Sequence, residues 1–82
     1  LLPQSIESID YNIIKFKYKE TDPFIIKKIK YAENLLGTNS RIILRASGTE
    51  NKLRIMGEAS NKNLLNKTLK SLKTEINNYV ND

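Results

Sequence analysis

The stretch "RIILRASGTENKLRIM", residues 41–56, decides how this chain is read. Branched apolar residues fill both flanks, and Ser47 to Asn51, all small or polar, separate them. Two such runs joined by a short glycine-containing connection predict a β-hairpin, with strands over 41–46 and 52–59. Strand side chains alternate between faces. Ile42, Leu44, Leu53 and Ile55 are therefore expected on a core face. Arg41, Ile43 and Arg45 share the other face with Arg54, Met56 and Glu58. Arg45 and Arg54 then stand together at the mouth of one turn.

That turn suits an oxyanion. Gly48 permits close backbone approach and positive φ. Successive backbone N–H groups in a turn form an anion-binding nest, and Ser47 and Thr49 add hydroxyl donors. Arginine offers a planar fork matched to phosphate oxygens. Glu50 runs against the trend: its carboxylate would repel phosphate unless it faces a substrate amine or hydroxyl, or pairs with an arginine. A plain hairpin turn accounts for the same composition, since Ser, Gly, Thr and Asn are ordinary turn residues. Physics alone leaves both readings open.

Outward from the hairpin, Thr21-Asp22-Pro23 predicts a helix start, with Asp22 or Thr21 as N-cap and Pro23 at the first helical position. Ile25, Ile29, Ala32 and Leu36 give its apolar stripe, and Gly37 its stop. Asn61 caps a last helix with the stripe Leu64, Leu65, Leu69, Leu72, Ile76 and Val80. Lys67, Lys70 and Lys73 fall on its solvated face. Residues 3–18 read as extended. Ile14, Phe16 and Tyr18 alternate with lysines as in a half-buried strand, and a bulge or break is expected between Asp10 and Ile13. The predicted class is α+β: a mostly antiparallel sheet with both helices on one face, in the order β-(β)-α-β-β-α.

The 82 residues make one small domain, expected to span 1–82. A chain of this size buries roughly 60–65% of the surface that its unfolded form exposes. It has no cysteine and no histidine, so disulfides, thiolate metal sites and the usual neutral-pH acid–base group are excluded. No apolar run reaches the roughly 18 residues of a membrane span. The chain opens on Leu1-Leu2-Pro3 without an initiator methionine, and it is expected to be a piece of a longer protein. The net charge of +5 is compatible with an anionic partner, although an A/T-rich codon bias accounts for most of the lysines. A small basic RNA-binding module is the competing class. It is disfavoured here by the lack of an aromatic pair on the expected open face.

Arg45-Ala46-Ser47-Gly48-Thr49-Glu50, followed by Leu53-Arg54-Ile55-Met56 and Glu58-Ala59, resembles the C-terminal (fourth) domain of the α-D-phosphohexomutases. Within them it is most similar to the bacterial phosphoglucosamine mutases. Leu2-Pro3-Gln4 with Ile6 and Ile9, and the order of the two helices, extend the likeness over nearly the whole chain. The resemblance implies a TATA-box-binding-protein-like domain with a substrate-phosphate-binding loop at 45–50. Arg45 would be the main fork, Ser47, Gly48 and Thr49 hydroxyl and backbone donors, and Arg54 a second cation. Glu50 would be a sugar contact. The implied reaction interconverts glucosamine 6-phosphate and glucosamine 1-phosphate through an enzyme phosphoserine. Related phosphoglucomutases and phosphomannomutases carry the same loop and are the alternative. Mg²⁺ would be bound outside this chain, whose partners would be the phosphosugar and three further domains, with no nucleic acid or membrane and a cytoplasmic setting. No phosphoserine loop or aspartate cluster is present, so the chain by itself is expected to be without mutase activity or catalytic residues. The family's proline after the glutamate is replaced by Asn51, which frees the loop backbone.

Overall fold

The computed structural model describes residues 2–47 and 50–82. Among them the order is β1 (Gln4–Asp10), α1 (Pro23–Leu36), β2 (Arg41–Ala46), β3 (Lys52–Glu58) and α2 (Lys62–Asn81). The sheet runs β1-β3-β2, and β3 pairs antiparallel with both neighbours. The hairpin read from residues 41–56 therefore forms, and its return strand becomes the centre of the sheet.

Each helix starts and stops where local chemistry directs. Asp22 caps α1 by accepting from the backbone N–H groups of Phe24 (3.0 Å) and Ile25 (3.2 Å). Pro23 follows at the first helical position, where its missing N–H costs nothing. Gly37 ends α1 at φ 104°, a conformation in which a Cβ would be strained. Asn61 caps α2 through the Leu64 N–H at 3.0 Å.

Both helices lie on one face of the sheet. Ile9, Ile42, Leu44, Leu53 and Ile55 form one buried cluster with Ile25 and Ala32 of α1 and with Leu65, Leu69, Leu72, Ile76 and Val80 of α2. Gly57 sits where α2 crosses β3: a Cβ there would meet Leu65 Cδ1 at 2.9 Å. Among the described residues no buried side-chain polar atom lacks a hydrogen-bond partner.

Three expectations need correction. No strand forms over residues 14–18. β1 ends at Asp10, inside the expected break, and the Asn12 side chain then accepts from the N–H groups of Ile14 and Lys15 in an Asx turn. Ile14 is 94% exposed, but Phe16 and Tyr18 face the core as their alternation predicted. In place of a strand, the Tyr18 hydroxyl reaches the outer edge of β2 at the Leu44 carbonyl, 3.4 Å away. The α2 stripe also shifts: Leu64 is 38% exposed and Thr68 is buried instead. Finally, Lys73 is half-buried and pairs with Glu7 of β1 at 3.4 Å, so it is not on a solvated face.

Candidate phosphate-binding site

The open face of the sheet, away from the helices, is ordered in rows by the strand register. At one end Gln4, Glu58 and Arg41 lie across from one another, followed by Ile6, Met56 and Ile43, then by Ser8, Arg54 and Arg45. Ile43 and Met56 are partly exposed whereas Ile42, Leu44 and Leu53 are buried, as the alternation predicts. The first two rows border a shallow depression of about 230 Å³. The third row borders the hairpin connection, residues 47–51.

Arg45 and Arg54 are direct cross-strand partners. Such partners hold their Cβ atoms about 4.5–5.5 Å apart on one face, and like charges so placed destabilise a sheet. The structure relieves this on one side only. The Arg54 guanidinium lies 3.7 Å from the Glu50 carboxylate. Arg45 is exposed and makes no ion pair among the described residues. An exposed, unneutralised guanidinium beside a half-neutralised one leaves a cationic site at the loop root.

The loop residues contribute in different ways. The Ser47 N–H is committed to the Lys52 carbonyl at 3.0 Å, so the expected backbone donor at this position is taken. Its Oγ accepts from the Glu50 N–H at 3.3 Å, which leaves the hydroxyl proton available to an oxyanion. Gly48 and Thr49, both expected site residues, lie outside the described residues. Of the alternatives weighed for Glu50, the structure shows the pairing with an arginine.

Two charged groups at the loop root were missed from sequence. Lys52 opposes Asp10 in the β1–β3 register, 3.9 Å from its carboxylate. Lys52 is two residues from Arg54 on β3, and that spacing alone places both on one face. A wide notch beside it is lined by Asp10, Asn12, Glu50, Asn51, Lys52 and Asn81, among others. The Asn51 carbonyl accepts the Tyr11 N–H at 2.9 Å and ties the connection to the end of β1.

Tyr11 also lines this notch, while the other aromatic residues lie away from it. Phe24 stacks on Tyr79 at 4.1 Å, Phe16 meets Tyr79 edge-on at 5.5 Å, and Tyr11 meets Phe16 at 6.3 Å. The Tyr79 hydroxyl donates to Asp22 at 2.9 Å, so this cluster clamps the end of α2 to the start of α1. No strand position on the open face carries an aromatic ring, so the face offers no base-stacking platform.

A three-stranded antiparallel sheet backed by two helices, with paired arginines at one hairpin, defines an α+β domain with cationic side chains beside that turn. Residues 14–74 match the family described as "Phosphoglucomutase/phosphomannomutase, C-terminal domain". The chain belongs to that family and is a phosphohexomutase C-terminal domain. It is 44% identical over 68 residues to the phosphoglucosamine mutase of Pelagibacter ubique, covering 83% of this chain and 15% of that protein. With the phosphoglucosamine mutase of Hyphomonas neptunium it shares 36% over 61 residues, covering 70% of this chain and 14% of the relative. The chain thus spans about one seventh of the length of each of these two relatives. Among solved structures, an Aspergillus fumigatus N-acetylphosphoglucosamine mutase aligns over 99% of this chain and 16% of its own length, with a TM-score of 0.81 at 20% identity. A second structure of that enzyme, described as a complex with GlcNAc-6P and magnesium, aligns over 96% of this chain and 16% of its own, with a TM-score of 0.79 at 21% identity. These structural likenesses establish the fold. Among the described residues no helix is long and apolar enough to cross a membrane.

Proposed function

We propose that this chain is the substrate-phosphate-binding domain of a phosphosugar mutase that interconverts glucosamine 6-phosphate and glucosamine 1-phosphate. The observation that carries the reading is the register of β2 and β3, which sets Arg45 opposite Arg54 on one face. A sheet gains nothing from that pairing by itself. A dianion between the two guanidiniums converts the repulsion into two charge-assisted contacts. The name shared by the curated relatives supports glucosamine as the sugar.

In this reading Arg45 supplies the main fork, Ser47 a hydroxyl, Gly48 and Thr49 the nest, and Arg54 the second cation. Glu50 stands at the edge of the phosphate, where it could also meet the sugar. The domain grips the phosphate that is not being transferred. Its contribution is positioning and charge neutralisation, which make up most of what phosphoryl transfer asks of a protein. Among the described residues there is no group of three acidic side chains to hold a metal, and Asp10 and Glu50 are each engaged with a cation. These donors do not fit a divalent ion. The phosphorylated serine, the Mg²⁺ site and three further domains belong to the parent enzyme in this proposal, and the domain alone does not turn over.

The test is an NMR titration of the 82-residue chain with glucosamine 6-phosphate and with glucosamine. The phosphorylated sugar should shift amides around Arg45 and Ser47, weakly, and unphosphorylated glucosamine should not. Arg45→Lys keeps the charge and loses the fork, so it should weaken binding, while Lys70→Ala on the exposed side of α2 should not. In the full-length parent the lost charge-assisted contact should cost roughly 1.5–3 kcal/mol, or one to two decades in kcat/KM. Equal effects of the two substitutions would reduce the loop to a turn. Turnover of glucose or mannose 6-phosphate by the parent in preference to glucosamine 6-phosphate would reassign the sugar.

A further inference from the structure

Glu50 is the member of the site whose charge runs against the rest. A carboxylate beside two arginines repels the ligand those arginines are read as binding. Its placement is nevertheless fixed from two sides. Its backbone N–H is held by Ser47 Oγ at 3.3 Å, and its carboxylate lies 3.7 Å from the Arg54 guanidinium. Both contacts are with groups assigned to the phosphate. Arg45, the direct neighbour of Arg54, has no such carboxylate among the described residues.

We infer that Glu50 is a built-in competitor for phosphate: it occupies Arg54 in the free domain and yields it when phosphate binds. This inference rests on the reading of the loop end as a phosphate site. Two consequences follow from simple electrostatics. The free domain keeps two directly opposed arginines because the charge of one is covered, which lowers the like-charge cost in the sheet. The bound domain must first break the Glu50–Arg54 pair, so phosphate is held less tightly than two free arginines would hold it. The pair is half-exposed, and exposed pairs are worth roughly 1.5- to 5-fold in an equilibrium constant. The device therefore tunes affinity by a small factor, in the direction of easier release, and it ranks the arginines. Arg45 meets the ligand at once, and Arg54 joins by exchange.

The experiment is a titration of the 82-residue chain with inorganic phosphate at fixed ionic strength. Wild type is compared with Glu50→Gln, Arg54→Gln, the double variant and Glu58→Gln. Glu58 lies on the same sheet face at the opposite end, so its substitution makes the same change in net charge far from the site. Glu50→Gln should tighten phosphate binding roughly two- to fivefold over wild type. In the Arg54→Gln background the same substitution should give no more than Glu58→Gln gives. An unchanged or weaker affinity in Glu50→Gln overturns the inference. So does an equal gain with and without Arg54, which would make Glu50 only a nearby negative charge. Arg45→Gln separates the two levels. If it leaves phosphate affinity unchanged, the site reading fails and the inference falls with it. If it weakens binding while Glu50→Gln changes nothing, the site stands and the inference alone fails.

Discussion

On the helix side of the sheet, Ile9, Leu53 and Ile55 are buried to 1% exposure or less. On the other side of the same strands, Arg54 lies between Ser8 and Arg45, half-exposed and paired with Glu50. The helix side is assembled so that every neighbour gains from the contact. In one row, Arg45 against Arg54, the open side places like charges opposite each other, which costs stability unless another group or a ligand supplies the missing charge. A local rule broken and only partly compensated inside the domain, by Glu50 on Arg54, marks a candidate functional site in an otherwise consistent fold.

The contrast is sharpest in substitutions on opposite faces. Ile55→Ala should cost about 2–5 kcal/mol, because it leaves a cavity between β3 and the helices. Ile43→Thr on the open face should stay within about 0.5 kcal/mol of wild type. Urea unfolding of both variants measures this, and comparable losses would mean that both sheet faces are core. Next in size is Asp22→Ala. It removes the α1 cap and the acceptor for the Tyr79 hydroxyl, and it should cost about 0.5–2 kcal/mol in the same measurement.

A smaller effect appears with pH. The Tyr79 phenol is raised above its ordinary range by its hydrogen bond to Asp22, then by burial and by the Asp22 charge. The fold therefore favours the protonated phenol. That contribution is complete below the ordinary tyrosine value of about 10 and is lost as pH rises through the higher folded value. The stability advantage of wild type over Tyr79→Phe should shrink above that pH. A constant difference up to strongly alkaline pH would show that the bond is not made.

Most of the fold was legible because its signals are local. Asp22-Pro23, Gly37 and Asn61 mark helix ends through their own backbone chemistry, and the alternation in 41–46 and 52–58 fixes faces without knowledge of the rest. The segment after Asp10 was misread because alternating Phe16 and Tyr18 satisfy a strand pattern while merely leaning on the core. The Asn12 side chain, which turns the backbone, acts over two residues and leaves no periodicity. Leu64 and Thr68 were exchanged for a related reason. Hydropathy favours leucine, but helix geometry puts residue 68, one turn from Leu65 and Leu72, on the buried line. At the site, parity brought Arg45 and Arg54 together correctly. The Asp10–Lys52 pair depended on which strand adjoins β3, and that is a tertiary fact.

The central claim is that Arg45 is kept for a phosphate at the expense of the sheet. Unfolding of wild type and Arg45→Thr, with and without phosphate at constant ionic strength, tests it in one measurement. Threonine is a good strand residue and ends the opposition to Arg54. Without phosphate the variant should be more stable than wild type by about 0.2–1 kcal/mol. Phosphate should stabilise wild type by mass action and leave the variant unchanged. A variant that is less stable than wild type and equally stabilised by phosphate would contradict the account.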